Sequence, residues 1–343
     1  MYDIVVIGVG QAGLSIAYYL KQSGYHFIIV GAEERIGDAW RKRYESLVLF
    51  TPKVYSALPG MAMEGDVEAL PTKDEVANYL EKYAMHFSFP VQLETTVQKV
   101  VKVNDIFEVV TNKGVLCANN VVIATGAFQK PFIPAISSNL YEEVYQLHSA
   151  TYQSPDQVNK GSVLVVGGGN SGAQIAVELA DTHDVTIATS HPSTFLPTKL
   201  LGRSIFVWLD RIGLLYAGID TRRGRWFRKR KDPIFGFELK KLLKEGKVKG
   251  KPKVIQAEGK EVIFDDGSRM FAETIIWSTG FIPHYEWIQV EGALDESGFP
   301  FHIRGISPVE GLYYIGLPWQ YQRGSALICG VGKDAKYIVD AIK

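Results

Sequence analysis

Apolar residues along the chain come in short continuous runs separated by glycine-rich turns and amphipathic stretches. Ile4-Val5-Val6-Ile7 is a β-branched run of the kind a strand buried on both faces requires. Gly8-Val9-Gly10-Gln11-Ala12-Gly13 follows. Leu14, Ile16, Ala17, Tyr18 and Leu20 then mark one face of a helix that Gly24 ends, and Phe27-Ile28-Ile29-Val30 is a second strand. The spacing predicts a βαβ unit. Residues 72–84 read as a helix with Thr72 as cap, Glu75 at the capping-box position, and Val76, Tyr79, Leu80 and Tyr83 on one face. From about 91 to 123 the pattern shifts to short alternating strands, with a turn at Asn112-Lys113-Gly114, and closes on the buried run Val121-Val122-Ile123 leading into Ala124-Thr125-Gly126.

The order then repeats. Val163-Leu164-Val165-Val166 is a strand, Gly167-Gly168-Gly169-Asn170-Ser171-Gly172 its turn, Ala173 to Ala180 a helix, and Val185-Thr186-Ile187-Ala188 the next strand. Short strands near Val254–Gln256 and Val262–Phe264 precede Ile275-Ile276-Trp277-Ser278-Thr279-Gly280. Two long units with the same element order indicate duplicated architecture, not a short-period solenoid. The tail, about 290–343, carries Gly311-Leu312-Tyr313-Tyr314-Ile315-Gly316 and a final helix predicted from Lys333. Having no nucleotide motif of its own, it is expected to return and complete the first unit.

At 343 residues the chain is long enough for two ordinary domains. Its 46% hydrophobic and 22% charged residues are those of a soluble globular protein. The 37 basic residues balance 37 acidic ones, which argues against a nucleic-acid binder. No apolar run reaches the roughly 20 residues a membrane span needs, and the strand at Ile4 leaves no room for a secretory signal, so a cytoplasmic location is expected. Cys117 and Cys329 are the only cysteines and form neither a C-x-x-C redox pair nor a metal-ligand spacing.

Glycine turns between strand and helix are where a pyrophosphate is held, because the helix N-terminus offers free N–H groups and a favourable dipole. Glycines at the first, second and third motif positions permit the tight turn, close approach of the phosphates, and helix–strand packing. Gly8, Gly10 and Gly13 meet that requirement in the first unit, and Gly167, Gly169 and Gly172 in the second. An acidic residue about 20 positions on normally bonds a ribose hydroxyl. Here the strand ends at Gly31, with Glu33 and Glu34 behind it: either Glu33 reaches the ribose from the loop, or both are solvated surface. The second unit's strand ends Thr189-Ser190-His191, with no arginine to select a 2′-phosphate. Ser190 and His191 suit a phosphate or a bare ribose, so NADH against NADPH stays open.

With these motifs the sequence resembles the two-dinucleotide-binding flavoproteins that include flavin-containing monooxygenases, and most closely their small bacterial members linked with cation efflux. The resemblance spans nearly the whole chain. It rests on the two glycine motifs, Gly37-Asp38-Ala39-Trp40-Arg41, the stretch Ser46 to Pro52, Ala124-Thr125-Gly126, His148-Ser149 with Tyr152, Ser278-Thr279-Gly280 and Gly316-Leu317-Pro318-Trp319. It implies an α/β fold of two Rossmann-like dinucleotide-binding domains of the three-layer ββα type, the nicotinamide domain (154–287) inserted in the FAD domain (1–153 with 288–343). FAD would take Gly8, Gly10, Gln11, Ala12, Gly13, Gly31, Glu33, Gly37, Trp40, Arg41, Leu49, Phe50, Thr51, Val97, Ala124, Thr125 and Gly126. Ser325 and Ala326 would meet the flavin pyrimidine. NADPH or NADH would take Gly167, Gly169, Asn170, Ser171, Gly172, Ser190, His191, Thr279 and Gly280.

The implied reaction is hydride transfer from nicotinamide to flavin, then formation of a C4a-hydroperoxide with O2 that oxygenates a soft nucleophile, a sulfide or amine. Thr51 replaces the family's active-site asparagine, and is either a donor near the flavin edge or a hydroxyl capping the turn before Pro52. At two positions ahead of His148 the monooxygenases carry phenylalanine and glycine; this chain has Glu142 and Val144, which weakens the oxygenase assignment but not the flavoprotein one. His148 is expected at the domain junction. The alternative on the same scaffold is an NAD(P)H:acceptor reductase or oxidase of ferredoxin or quinone type. A flavin-bearing redox sensor is a third reading. The partners expected are a small-molecule substrate and O2, and a homodimer is the commonest assembly for such enzymes. Residues 221–231 hold seven basic side chains interleaved with Trp226 and Phe227, read chiefly as a solvated insertion and otherwise as a membrane-surface or anion-docking patch. Ile205 to Leu209 just before it lines a substrate entrance or is core.

Overall fold

The computed structural model describes residues 1–342, and among them the chain forms two mixed α/β layers built on parallel sheets. In the first, the strands Val91–Gln92, Phe27–Val30, Tyr2–Ile7 and Gly114–Ile123 lie side by side in that order, parallel throughout (Ile4 opposite Phe27, Tyr2 opposite Ala118). The Gly114–Ile123 strand is long enough to serve two partners on its far edge. Its first half pairs antiparallel with Ile106–Thr111, the middle of a meander with Val97–Val103. Its second half pairs parallel with Leu312–Tyr314, which the tail brings back.

Alternation across the pleat decides what each face meets. Ile4 and Val6 point to one side and pack under the helices Gln11–Gln22, Lys73–His86 and Ile328–Ala341, through Leu14, Leu80 and Val331. Val5 and Ile7 point to the other side and meet Val100, Phe107 and Val109 of the meander. The second sheet follows the same plan with the order Val248–Lys251, Asp184–Ala188, Ser162–Val166, Thr274–Trp277, Tyr145–His148, all parallel. Val163 and Val165 face the helices Asn170–Leu179 and Glu238–Glu245, while Leu164 and Trp277 face the antiparallel strands Val254–Glu258, Glu261–Phe264 and Arg269–Phe271.

The capping box at Thr72 is complete: its hydroxyl accepts from the Glu75 N–H at 3.2 Å, and the Glu75 carboxylate accepts from the Thr72 N–H at 2.9 Å. Two expectations shift. The last helix begins at Ile328, five residues before Lys333, because its first turn contains Gly330, which packs its bare Cα against Gly324 and so breaks the apolar pattern. Tyr145–His148, inside the 1–153 segment, is the outer strand of the second sheet. The chain passes between the two halves through paired connectors, Lys130–Pro131 running antiparallel to Phe281–Ile282. Among the described residues no helix is long and apolar enough to cross a membrane.

Candidate functional site

Each parallel sheet ends in a glycine turn at the N-terminus of a helix, and the three glycines of each turn have different neighbours. Gly8 takes φ +118° and lies so close to the next strand that a methyl group there would stand 2.5 Å from the Ala124 carbonyl oxygen. A methyl on Gly13 would run into the Gly8 carbonyl. Gly10, by contrast, faces open space, with no atom within 4 Å of such a methyl. In the second turn Gly167 and Gly172 are closed in by Ser278 and by Gly167, and Gly169 faces open space. The helices that follow, starting at Gln11 and Asn170, have no side-chain cap and no acidic residue in their first turns. Two uncapped helix ends, each behind a bare backbone surface, are a cradle that a pyrophosphate fits, since the N–H groups of Gln11 to Gly13 and of Asn170 to Gly172 supply donors and dipole.

Glu33 is half-buried in its loop, and its carboxylate lies back over the strand end, where a methyl on Gly31 would stand 2.7 Å from Oε2. Gly31 thus makes room for an acid supplied two residues later, and Glu34 is exposed. At the second strand end Ser190 is exposed and His191 half-buried, its Nδ1 3.3 Å from the Pro192 carbonyl oxygen.

Gly37, at φ +93°, caps the short helix Asp38–Arg41. Trp40 donates from its indole to the Gln11 Oε1 at 3.4 Å, which brings the segment to the first cradle. Arg41 is held elsewhere: it donates to the Ile36 carbonyl at 2.6 Å and the Asn78 side chain at 3.2 Å, and pairs with Glu81 at 3.1 Å. It anchors this segment to the Lys73–His86 helix. Leu49 is buried in the first core, and Phe50 stacks on Phe235 at 4.5 Å, reaching toward the second half. Val97 opens its strand half-buried beside a bulge.

The Thr51 hydroxyl is buried and lies 2.8 Å from the Ser56 hydroxyl, which itself donates its single proton to the Thr51 carbonyl at 3.0 Å. Thr51 must therefore be the donor in the shared contact. Of the two roles open to it in the sequence, the structure shows the local turn. Ser325 is likewise committed: its N–H reaches the Gln322 carbonyl, and its hydroxyl oxygen accepts from the Tyr321 and Gln322 N–H groups at 3.2 and 3.1 Å. Ala326 ends that one-turn helix.

The junction between halves is a polar network. His148 is buried at the end of its strand; Nδ1 accepts from the Ala150 N–H at 3.1 Å, which leaves Nε2 to donate to the Gly280 carbonyl at 2.9 Å. Burial holds its pKa below the ordinary histidine value, so the ring is neutral at pH 7. On the other connector Gln129 donates to the Thr125 hydroxyl at 3.1 Å and to the Gly126 carbonyl at 2.9 Å. Thr279 donates to the Phe132 carbonyl. Ala124 is buried directly beneath Gly8. Arg43 lies over the packed pair of rings Phe128 and Phe281, 5.2 and 5.1 Å from their centres, and burial lowers its pKa. Tyr44 donates to Gln174 at 2.9 Å, Gln174 donates to the Val48 carbonyl at 3.0 Å, and the phenol of Tyr44 is pushed up to about 12 by burial. Asn170 clamps the insertion, donating to Pro233 and accepting from Phe235. Arg43, Tyr44, Gln129 and Gln174 carried no sequence signal, because each works only through a partner far along the chain.

Beside this junction lies a small apolar cavity between the insertion and the tail, walled by Phe206, Leu209, Phe227, Phe235 and Leu327, with Arg323 at its edge. Among the described residues no cluster of three or more His, Cys, Asp or Glu side chains is placed to hold a metal ion. Both cysteines are free thiols, and burial pushes Cys329 up to about 12, so it stays protonated and unreactive at neutral pH.

Residues 5–199 match the family model described as pyridine nucleotide-disulphide oxidoreductase. A CzcO-like oxidoreductase of Geobacillus kaustophilus is 52% identical over 340 residues, 99% of this chain and 98% of that protein. An indole-3-pyruvate monooxygenase of Oryza sativa is 28% identical, covering 96% of this chain and 88% of its own length. A flavin-containing monooxygenase structure from Stenotrophomonas maltophilia superposes with a TM-score of 0.83 at 28% identity, over 99% of this chain and 98% of that one.

Proposed function

From membership in the pyridine nucleotide-disulphide oxidoreductase family, to which this chain belongs, we propose that it oxygenates a soft nucleophile, a sulfide or amine, at the expense of NADPH or NADH and O2. The protein is an NAD(P)H-dependent flavoprotein oxidoreductase of the flavin-monooxygenase kind, with FAD and a nicotinamide dinucleotide as its cofactors. Free and distant cysteines separate it from the disulfide chemistry in the family's description.

The single observation that carries the proposal is the pair of open cradles, Gly10 and Gly169, on opposite sides of one hydrogen-bonded junction. The first takes the FAD pyrophosphate on the amides of Gln11 to Gly13, with Glu33 on the ribose. The second takes the nicotinamide dinucleotide on the amides of Asn170 to Gly172, with Ser190 and His191 at the ribose. In domain terms, 1–153 with 288–343 forms the flavin lobe and 154–287 the nicotinamide lobe, the strand Tyr145–His148 joining the latter. Bound FAD supplies the hydride acceptor and the partner for O2. The chain's own part is to orient and to keep water out. His148, neutral and fixed by Gly280, holds the second lobe's edge, and Phe50 of the first lobe stacks with Phe206 and Phe235 of the insertion into an apolar screen. The balance is NAD(P)H, a proton, O2 and the nucleophile giving NAD(P)+, water and the oxygenated product.

A second reading, NAD(P)H oxidation with O2 reduced to hydrogen peroxide, is favoured by Thr51, whose proton is committed to Ser56. Turnover with a simple aryl methyl thioether separates the two. One sulfoxide per nicotinamide oxidised supports oxygenation; hydrogen peroxide accounting for all the O2 consumed overturns it.

A further inference from the structure

The insertion that follows the second sheet's Asp184–Ala188 strand has an outward surface which the chemistry above does not use. Between 199 and 231 the chain carries ten basic and two acidic residues, although the whole protein is electrically balanced. Seven of the ten fall in Thr221–Lys231, all exposed, and none makes an ion pair among the described residues. The short helix Arg222–Arg228, capped by the Thr221 hydroxyl on the Gly224 N–H, puts Arg222 and Trp226 on one side, and Arg230 stacks on the Trp226 ring at 4.7 Å.

Charge alone would suit any polyanion. The apolar residues set among these charges do not. Lys199–Leu200 and Arg203–Ser204 form a hairpin whose tip, Leu201, takes φ +51° and is 82% exposed, flanked by cations on both strands. Trp226 is 52% exposed and Ile212 56%. They belong to one connected surface. The Trp208 indole donates to the Leu200 carbonyl at 2.9 Å, Arg211 stacks on Trp208, and Arg223 donates to the Ile212 carbonyl at 2.9 Å. Trp208 and Ile212, four positions apart, lie on the same side of the Ile205–Arg211 helix and its cap. A nucleic acid or an acidic protein gives no return for a leucine pushed outward in a left-handed turn; an acyl-chain boundary does.

We propose that this surface docks the enzyme on an anionic lipid bilayer, Leu201 and Trp226 entering the headgroup boundary while the arginines and lysines of 222–231 meet lipid phosphates. The same elements wall the apolar cavity from within: Phe206 and Leu209 line it from the Ile205–Arg211 helix, and Phe227, next to Trp226, closes it and touches Trp319. Docking thus sets the wall of that cavity toward the membrane. The site stands whether or not the reaction proposed above is correct.

The test is sedimentation of the flavin-loaded full chain with vesicles of phosphatidylcholine, with and without a minority of phosphatidylglycerol. Binding is expected only with the anionic lipid and is expected to weaken as salt rises. Each cation removed is worth about fivefold in partition, so the double variant Arg222→Glu with Arg228→Glu is expected to lose at least about 25-fold. Leu201→Ser and Trp226→Ser are each expected to lose several-fold. Unchanged flavin content and melting temperature in all variants keep the comparison one of binding. Equal binding to both vesicle types, no loss in the Leu201 and Trp226 variants, or preference for a DNA duplex or a polyglutamate over vesicles overturns the proposal.

Discussion

Tyr44, in the flavin-side segment, donates its phenolic proton to Gln174 on the first turns of the second lobe's helix, at 2.9 Å across the junction. Gln174 passes the contact on to the Val48 carbonyl, so one amide ties the helix behind the second cradle to the chain beside the first. The geometry makes the separation of the cradles a property of three residues and not of the connectors alone.

Replacing Gln174 by Ala is therefore expected to loosen communication more than folding. Two hydrogen bonds disappear, about 1–2 kcal/mol in stability. Rapid-mixing measurement of flavin reduction by NADPH should show a rate at least about tenfold lower with FAD content unchanged. A proportional loss of FAD would mean that Gln174 serves the flavin lobe only.

The motif glycines should divide into two phenotypes. Gly10→Ala places its methyl in open space and Gly13→Ala against a backbone carbonyl. The first is expected to fold with a near-native melting temperature and to lose FAD affinity by about tenfold or more. The second should cost about 2–4 kcal/mol through backbone displacement. Gly169→Ala should leave FAD in place and raise the KM for the nicotinamide. Thermal melts and flavin titration decide each case.

Thr51→Val removes the proton held by Ser56 and keeps the shape of the side chain. A loss of about 1 kcal/mol is expected, with the ratio of oxygenated product to hydrogen peroxide unchanged within about twofold. A coupling ratio that falls tenfold would place the Thr51 hydroxyl at the flavin.

Asp334 is fully buried, and its two carboxylate oxygens find no hydrogen-bond partner among the described residues. Burial raises its pKa; the charge of the Arg304 guanidinium, which stacks on the rings of Tyr321 and Tyr337, pulls the other way without prevailing. The folded chain thus holds this proton more tightly than the unfolded one, whose carboxyl titrates near 3.9. Its contribution is full below about pH 4 and is lost as pH rises through the higher folded value. Asp334→Asn, which imitates the protonated acid, should match the parent near pH 4 and exceed it in urea denaturation at pH 7. A variant less stable at pH 7 would show that the attraction of Arg304 outweighs burial.

The glycine cradles were legible because a phosphate-binding turn is local: its requirements fall on six consecutive residues between a buried strand and an amphipathic helix. The capping box at Thr72 was readable for the same reason. Tyr145–His148 escaped because a four-residue edge strand whose first tyrosine is exposed has no periodicity, and its assignment depends on pairing with Thr274–Trp277. The resemblance places Ser325 at the flavin; in the structure its N–H donates to Gln322 and its hydroxyl oxygen accepts from Tyr321 and Gln322, contacts that no local pattern announces. The polar residues of the junction were invisible, since nothing local distinguishes Gln174 or Gln129 from any surface amide.

The two connectors, Lys130–Pro131 and Phe281–Ile282, run side by side. Everything between them leaves and re-enters through one narrow doorway. Such a layout makes the intervening stretch a cassette: its ends already adjoin, so recombination can swap it whole without re-threading the host. It also sets the axis of any relative movement, because a paired ribbon twists far more readily than it stretches.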